Sequence, residues 1–321
     1  FFKAGDVTRI CVTGASGFIG AALCGQLMLR GYTVHGVVRS FYSAMPVSGI
    51  EPIAVGNLNA HTDWSLALAG VDCVIHCAAR AHLMHETKED ALTAYRLVNV
   101  EGSRRLAEQA SAAGVRRLVF LSSIGVLGSH TNGRGPFIAS DMPNPTEDYA
   151  ISKWEAEQVL RVVGVRTGLE VVVVRSPLVY GPGAKGNLAR LIKLVRSGVP
   201  LPFGAVHNKR SLIGVDNLVD LLTQCIDHPA AANQTLLVSD GEDVSTIDLL
   251  DHMAAGLGVG SRLLPVPLPL LRLAGRALGK KQEIDRLVGS LQIDSQQTRE
   301  LLGWASPVSV REGCRRMMQG S

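Results

Sequence analysis

One glycine-rich run sets the architecture of this chain: Ile10-Cys11-Val12-Thr13-Gly14-Ala15-Ser16-Gly17-Phe18-Ile19-Gly20. Residues 9–12 are predicted as a strand, and residues 18–30 carry apolar side chains along one face of a predicted helix. Three glycines spaced by three connect the two elements. The first allows a tight turn, the second lets a pyrophosphate approach the backbone, and the third lets the helix pack closely on the strand. The run therefore predicts a dinucleotide site at the first turn of a helix.

Beyond this run, the first half of the chain alternates strand and helix patterns, which indicates a doubly wound parallel α/β sheet of the Rossmann type. Long helices are predicted at residues 89–113 and 149–166, and further strands at residues 33–38, 52–55, 73–76, 118–121 and 170–175. After Pro177, prolines punctuate shorter elements, which is typical of a smaller, loop-rich lobe.

The second half returns once to the first pattern, with a predicted helix at residues 215–226 and a strand at residues 234–238. We therefore predict two interleaved lobes. The cofactor lobe comprises residues 1–176 and 211–240. The smaller C-terminal substrate lobe comprises residues 177–210 and 241–321.

The composition argues against several classes of protein. Hydrophobic residues make up 46% of the 321 residues and charged residues 19%, which is an ordinary globular balance. The net charge of +4 comes without a basic block, so nucleic acid is not an expected partner. No apolar run reaches the ~18 residues of a membrane span. The six cysteines lie mostly in apolar stretches, which predicts buried thiols and a cytoplasmic protein.

Two stretches of the sequence have some features of a binding site. Residues 263–278 are apolar but are broken by three prolines, Arg272 and Arg276. We predict a loop and a short helix that cap a pocket, with docking to a membrane surface as the alternative. His82 and His85 have the spacing of a metal pair, but no third ligand is close in sequence, so no metal is predicted.

The residues at the end of the second predicted strand indicate whether the cofactor is NAD(H) or NADP(H). NAD enzymes commonly place an acidic residue there to bind the ribose 2′-hydroxyl, whereas arginine suits a 2′-phosphate. This chain has Arg39 and Ser40, and the next acidic residue is Glu51. The sequence therefore favours NADP(H) over NAD(H), although an exposed arginine at a strand end is common.

The residues Tyr149-Ala150-Ile151-Ser152-Lys153 open a predicted helix. A spacing of four places the phenol of Tyr149 and the ammonium of Lys153 on one face. A free tyrosine has a pKa of about 10, so a neighbouring cation would help it to exchange a proton near neutral pH. We therefore predict that Tyr149 and Lys153 are catalytic.

Together, the glycine run and the Tyr-x-x-x-Lys pair resemble the extended short-chain dehydrogenases/reductases, the NAD-dependent family of UDP-galactose 4-epimerases, sugar-nucleotide 4,6-dehydratases and 4-ketoreductases. The likeness covers nearly the whole chain. It implies that Ser123 shares the catalytic role, with Ser122 as the fallback. With the ribose-end residues included, the implied cofactor contacts are Gly14, Ser16, Gly17, Phe18, Ile19, Gly20, Arg39, Ser40, Asn57, Leu58, Ala78, Ala79, Asn99, Ser122, Tyr149, Lys153, Pro177 and Val179.

The resemblance also implies a nucleotide-sugar substrate held by the second lobe. The implied contacts are Ser123, Tyr180, Asn187, Leu188, Arg210 and Arg286. A guanidinium suits a diphosphate because it can form two parallel hydrogen bonds to the anion. Members of this family commonly form dimers through the two long helices, so a homodimer is expected.

The direction of the reaction stays open between two main possibilities. The family's dehydratases follow their catalytic residue with Asp-Glu, whereas Ser123 is followed by Ile124 and Gly125. We expect a reductase acting at C4 of a UDP-linked ketosugar, for surface polysaccharide, with a UDP-sugar 4-epimerase holding NAD as the alternative. A reductase of apolar carbonyl compounds, similar to the dihydroflavonol reductases, is a weaker alternative. A cofactor sensor without turnover is disfavoured because Tyr149 and Lys153 are both present.

Overall fold

The computed structural model describes residues 8–40, 47–50, 52–81 and 88–320. Its strands are β1 (Arg9–Thr13), β2 (Thr33–Val38), β3 (Pro52–Ala54), β4 (Cys73–His76), β5 (Arg117–Ser123), β6 (Glu170–Ser176), β7 (Leu178–Tyr180), β8 (Arg210–Gly214), β9 (Thr235–Leu237) and β10 (Asp243–Val244). Seven of them form a parallel sheet in the order β3-β2-β1-β4-β5-β6-β9. The predicted parallel α/β fold is confirmed.

The helices of the described residues are α1 (Phe18–Leu29), α2 (Ser65–Leu68), α3 (Lys88–Arg96), α4 (Gly102–Ala112), α5 (Asp148–Thr167), α6 (Asn187–Arg196), α7 (Val215–Gln224), α8 (Thr246–Gly256), α9 (Leu268–Ala277), α10 (Lys281–Val288), α11 (Gln296–Leu302) and α12 (Val310–Gln319). The long helix predicted at residues 89–113 is divided by a π-helical turn, Leu97–Glu101. Among the described residues, no helix combines the length and the apolar character that crossing a membrane requires.

Helices cover both faces of the large sheet. One core lies between the sheet and α1 with α7, and the opposite core lies between the sheet and α4 with α5. Strands β4, β5 and β6 are almost entirely buried because both of their faces are covered. This explains why they appear in the sequence as continuous apolar runs rather than alternating ones.

The second lobe is built on a small sheet in the order β10-β8-β7. Its core contains side chains of β7, α6, α8 and α12. The loop and short helix predicted at residues 263–278 correspond to a loop followed by α9. Leu302 and Trp304 pack in the first lobe's core. The chain therefore returns to the cofactor lobe once more within residues 241–321, which the predicted lobe boundaries did not include.

The order of the large sheet positions the site. Strand β1 lies between β2 and β4, so the direction in which the chain winds reverses between β1 and β4. In open parallel sheets, ligands bind at the carboxyl ends of the strands beside such a reversal. The glycine turn after β1 and the segment after β4 meet at this edge, which we call the cleft.

Candidate active site

The turn after β1 has the shape that a pyrophosphate site requires. Gly14 has a φ of 70°, and a Cβ on Gly20 would lie 2.1 Å from the carbonyl oxygen of Gly14. Helix α1 begins after Gly17, and no described side chain caps its first turn. The turn thus allows the helix to approach the strand, and it leaves N–H groups of the first turn available to an anion. These residues fit a dinucleotide cofactor.

A buried polar network supports this turn from below. The imidazole of His76 lies 2.6 Å from Oγ1 of Thr13 through Nδ1 and 2.9 Å from Oγ of Ser103 through Nε2. The backbone N–H of Ala78 donates to the same Thr13 oxygen at 3.1 Å. Burial, together with the charge of Lys153, lowers the pKa of His76 to about 3. A neutral imidazole therefore ties β1 to β4 beneath the cofactor turn.

Sequence reasoning did not assign roles to Thr13 or Ser103. The available signal was a polar side chain at the end of an otherwise apolar strand, because a buried polar group requires a partner.

Tyr149 and Lys153 lie on the first turns of α5, as predicted. The ring of Tyr149 meets the ring of Tyr95 edge to face, with centroids 5.9 Å apart. The Nζ atom of Lys153 lies 3.8 Å from the centroid of the Phe120 ring, and the lysine is only 1% exposed. The pair is therefore held by aromatic contacts in a dry part of the cleft.

Burial controls the proton affinities of this pair. It raises the pKa of Tyr149 to about 12, with a smaller contribution from Tyr95. It lowers the pKa of Lys153 to about 7, opposed by Glu157 and Cys77. We expected Lys153 to bring the tyrosine pKa towards neutrality, but in the structure desolvation raises it. Burial by itself therefore favours the protonated phenol, so removal of a proton from a substrate would require added positive charge beside Tyr149.

The two serines at the end of β5 have different roles. The hydroxyl of Ser122 is buried and donates to Oε1 of Glu157 at 2.5 Å. The hydroxyl of Ser123 is half-buried and accepts from the N–H of Gly125 at 3.1 Å. Successive side chains of a strand point to opposite faces. The hydroxyl of Ser122 is therefore engaged by Glu157, which favours Ser123 over Ser122 for the catalytic role, and the cofactor contact of Ser122 stays a prediction.

Ser123 is placed beside the helix that carries Tyr149. A Cβ built on Gly125 would lie 3.3 Å from the hydroxyl of Ser123 and 3.3 Å from Cβ of Ala150. A single glycine thus separates the serine from the residue that follows Tyr149. The structure therefore places Ser123 beside the first turn of α5, and its catalytic role with Tyr149 stays a prediction.

Glu157, one helical turn after Lys153, organises the base of the cleft. Its carboxylate accepts two hydrogen bonds from the guanidinium of Arg175, at 2.7 and 3.0 Å, in addition to the bond from Ser122. The side chains of Glu157 and Arg175 are 0% and 4% exposed. This buried ion pair joins α5 to β6 and was not foreseen from the sequence.

Asn99, a predicted cofactor contact, instead holds protein groups together. It lies in the π-helical turn and is buried. Its amide donates to the carbonyl of Arg80 and to the hydroxyl of Ser152, and its oxygen accepts from the N–H of Arg80. All these bonds go to the segment after β4 or to α5. Asn99 therefore fixes the wall of the cleft rather than extending into it.

The adenosine end of the predicted cofactor site is open. Arg39 is exposed at the carboxyl end of β2, and Asn57 is exposed beyond β3. Leu58 packs towards α4, where a Cβ on Gly102 would lie 3.1 Å from its own Cβ. Glu51 lies outside the described residues, as do His82 and His85.

The remaining predicted cofactor contacts differ in how accessible they are. Partly or fully exposed are Ser16, Phe18, Ile19, Ser40, Ala78, Ala79 and Val179, whereas Pro177 is buried at the end of β6.

Two predicted substrate contacts belong to the core of the second lobe. Tyr180 is 0% exposed, and its hydroxyl donates to Oδ2 of Asp240 at 2.7 Å. Leu188 is buried among the apolar side chains of the same lobe, whereas Asn187 is exposed on the first turn of α6. Neither Tyr180 nor Leu188 presents a surface to a ligand. The burial of both residues argues against the predicted contact with substrate, which stays untested.

The two predicted phosphate-binding arginines lie next to each other. Arg210 donates to the backbone carbonyls of Arg286 and Gly289, and burial, with the charge of Arg286, lowers its pKa. Arg286 pairs with Glu147 at 2.6 Å, and both side chains are about half exposed. Glu147 precedes Tyr149 by two residues. The structure thus brings the guanidinium of Arg286 to the start of the catalytic helix.

Comparison with known proteins places the chain among related enzymes. It is 45% identical over 312 residues to the UDP-glucose 4-epimerase of Vibrio cholerae, covering 97% of this chain and 94% of that protein. The structure of MoeE5 in complex with UDP-glucose and NAD matches with a TM-score of 0.77 and 26% identity, covering 97% and 98% of the two chains. The UDP-glucose 4-epimerase of Thermotoga maritima, at 23% identity, shares the fold with a TM-score of 0.76, covering 98% of both chains.

The family model of the NAD dependent epimerase/dehydratases matches residues 10–239. That range includes the glycine turn, Tyr149, Lys153 and Arg210. The chain therefore belongs to the NAD dependent epimerase/dehydratase family.

Proposed function

We propose that this protein is a UDP-sugar 4-epimerase, which inverts the C4 hydroxyl of a UDP-linked hexose. The observation that carries the proposal is the 45% identity to the V. cholerae UDP-glucose 4-epimerase along nearly the full length of both chains. The arrangement of Ser123, Tyr149 and Lys153 supports it, because this reaction needs one group that both removes and returns a proton.

In this reaction the residues of the cleft would have distinct roles. Ser123 and Tyr149 would hydrogen-bond the oxygen on C4, and Tyr149 would take the proton of that hydroxyl and later give it back. Lys153 would provide positive charge beside the phenol and hold ribose hydroxyls of the cofactor. The nicotinamide cofactor, when bound, supplies the reversible two-electron oxidation of the alcohol. Arg210 and Arg286 would hold the diphosphate.

The test is to incubate the purified protein with UDP-glucose or UDP-N-acetylglucosamine without added cofactor. We expect each active substrate to reach an equilibrium with its C4 epimer. Chromatography of the nucleotide sugars measures the two epimers. Tyr149→Phe serves as the inactive control. A protein that carries cofactor but leaves both UDP-sugars unchanged would contradict the proposal.

A 4-ketosugar reductase is the second candidate, and Arg39 is the observation that favours it. A reductase must exchange its cofactor at every turnover, and an arginine beyond β2 offers a charge-assisted partner to a 2′-phosphate. In that case the protein would prefer NADPH, consume it with a UDP-4-ketosugar, and shift towards NADH in Arg39→Asp. Arg311→Asp, at an exposed arginine of α12, is the matched control. Tightly retained NAD with epimerisation would exclude this candidate.

We also propose a homodimer through α3, α4 and α5. Val162 and Val165 lie one helical turn apart on α5 and are 64% and 91% exposed, and Leu97, between α3 and α4, is 51% exposed. Such apolar groups on adjoining helices suit a symmetric contact. Light scattering should give twice the chain mass, and Val165→Glu should reduce it to one. A wild-type monomer at micromolar concentration contradicts the proposal.

A further inference from the structure

Helix α9 has one face inside the protein and an apolar face outside it. Leu271 is 5% exposed, and a Cβ on Gly275 would lie 2.7 Å from the side chain of Ile284 on α10. These two residues mark the side on which the helix is packed. Leu270 and Leu273, in contrast, are 56% and 62% exposed.

The exposed leucines do not border the side on which the helix is packed. At 3.6 residues per turn, the centre of Leu270, Leu273 and Ala277 lies about 150° around the helix from the centre of Leu271 and Gly275. An amphipathic helix at a protein surface normally presents polar groups there. The outermost part of α9 is apolar instead.

Two further exposed leucines flank the helix. Leu264, before it, is 51% exposed, and Leu278, at its end, is 72% exposed. We use the name outer face of α9 for Leu270 and Leu273, which Leu264 and Leu278 flank along the chain.

The segment around this face carries positive charge only. Residues 261–282 contain no aspartate or glutamate, and their five cations are Arg262, Arg272, Arg276, Lys280 and Lys281. Arg272 and Arg276 are exposed along one side of α9. Two acids follow on α10: Asp285 lies 3.7 Å from Arg272, and Glu283 lies 3.8 Å from Arg190 on α6. Asp251, which accepts a hydrogen bond from Ser261, is a third acid, and Arg190 is a sixth cation, so the region keeps a positive charge.

We propose that the outer face of α9 docks on the surface of a bilayer that contains anionic lipids. A helix with an apolar apex and a cationic border lies in the interface between headgroups and acyl chains, where leucines enter the apolar layer and arginines meet phosphates. The positive charge of this segment favours anionic lipids over an uncharged apolar partner. The proposal does not depend on the proposed function, since none of these residues belongs to the catalytic cleft.

The proposal is tested with vesicles of phosphatidylcholine alone and vesicles of equal parts phosphatidylcholine and phosphatidylglycerol. We expect the wild-type protein to float with the anionic vesicles only, and to be released as salt is raised. The double variant Leu270→Ser with Leu273→Ser should lose at least about tenfold in partition to the anionic vesicles. The matched control is Leu29→Ser with Leu66→Ser, at leucines that are 92% and 70% exposed elsewhere.

A second arm separates charge from apolar contact. Arg272→Gln with Arg276→Gln should weaken flotation with anionic vesicles, whereas Arg311→Gln should not. Unchanged thermal midpoints would show that all variants are folded. Absence of wild-type flotation, or equal flotation of the Leu270/Leu273 variant, overturns the proposal. So does a fall in oligomeric mass in that variant without a change in flotation, which would assign the face to a second copy of the chain.

Discussion

The polar residues of the cofactor lobe and Arg286 of the substrate lobe are held in opposite ways. In the cofactor lobe, His76 and Glu157 are buried and bonded to other side chains of the same lobe. In the substrate lobe, Arg286 is half exposed and paired with a half-exposed carboxylate, Glu147. Buried partners fix a geometry, whereas an exposed ion pair contributes little and exchanges readily. The difference indicates that the polar side chains of the cofactor lobe are held rigidly. The carboxylate partner of Arg286, in contrast, can be replaced by a ligand.

The comparison predicts its largest effect at Tyr149. Tyr149→Phe should lower kcat by about 10²–10⁴-fold, because the hydroxyl proposed to transfer the proton is lost. Cofactor affinity and the thermal midpoint should stay nearly unchanged, since the ring remains against Tyr95. Steady-state kinetics and cofactor titration provide the measurement, with Tyr95→Phe as the control for the ring contact. A variant that keeps more than about a tenth of the rate would remove Tyr149 from this role.

The next effect concerns stability and uses two glutamates of the same helix. Glu157→Gln leaves the Arg175 guanidinium buried without its counter-charge, so unfolding free energy should fall by about 3–5 kcal/mol. Glu155→Gln breaks an ion pair with Arg96 in which the two side chains are 31% and 48% exposed, so the loss should be about 0–1 kcal/mol. Urea unfolding measures both. Equal losses would mean that burial does not distinguish the two pairs.

A smaller effect is expected on the binding side. Arg286→Ala should raise KM for the nucleotide sugar about tenfold with kcat nearly constant, because a diphosphate is held equally in ground and transition states. Arg210→Ala should raise KM as well but also reduce stability, since it supports the carbonyls of Arg286 and Gly289. An Arg286→Ala phenotype confined to kcat would contradict the assignment.

The smallest effect is a gain in stability on removal of a charge. The pKa of Lys153 is about 7 in the fold, against an ordinary value of 10.5. The unfolded chain therefore binds more protons between these values, and wild-type stability should rise as the pH increases from about 7 to 10.5. Lys153→Met should raise the midpoint at pH 7 by about 2–4 °C, with a shrinking gain at higher pH. Calorimetry across this range measures it, and a gain independent of pH would contradict it.

The sequence predicted the cofactor lobe closely because its signals are local. Strand β4 and the start of α1 have their predicted bounds, and Tyr149 and Lys153 lie on one face of α5. These features depend on apolar runs, on glycines in a turn and on helical spacing, which short windows of sequence contain.

What the sequence could not provide was the partner of each polar side chain. Ser122 and Ser123 are identical in type and adjacent, and only Glu157, 35 residues away from Ser122, distinguishes them. Similarly, Tyr180 donates a hydrogen bond to Asp240, which lies 60 residues further along the chain. Strand β7 has three residues, which is too short to show a period of two. Long-range contacts determine such orientations, so the sequence located these elements correctly but did not show that the hydroxyls of Tyr180 and Ser122 are bonded inside the protein.

The interleaving of the two lobes has a consequence for how such enzymes can diversify. The substrate lobe is encoded by separate stretches, and residues of the first core, Leu302 and Trp304, follow it near the end of the chain. A single recombination event cannot exchange the lobe as a cassette without separating strands from their sheet. Point substitution at exposed positions such as Asn187 and Arg286 can instead change the surface of the second lobe while both cores stay intact.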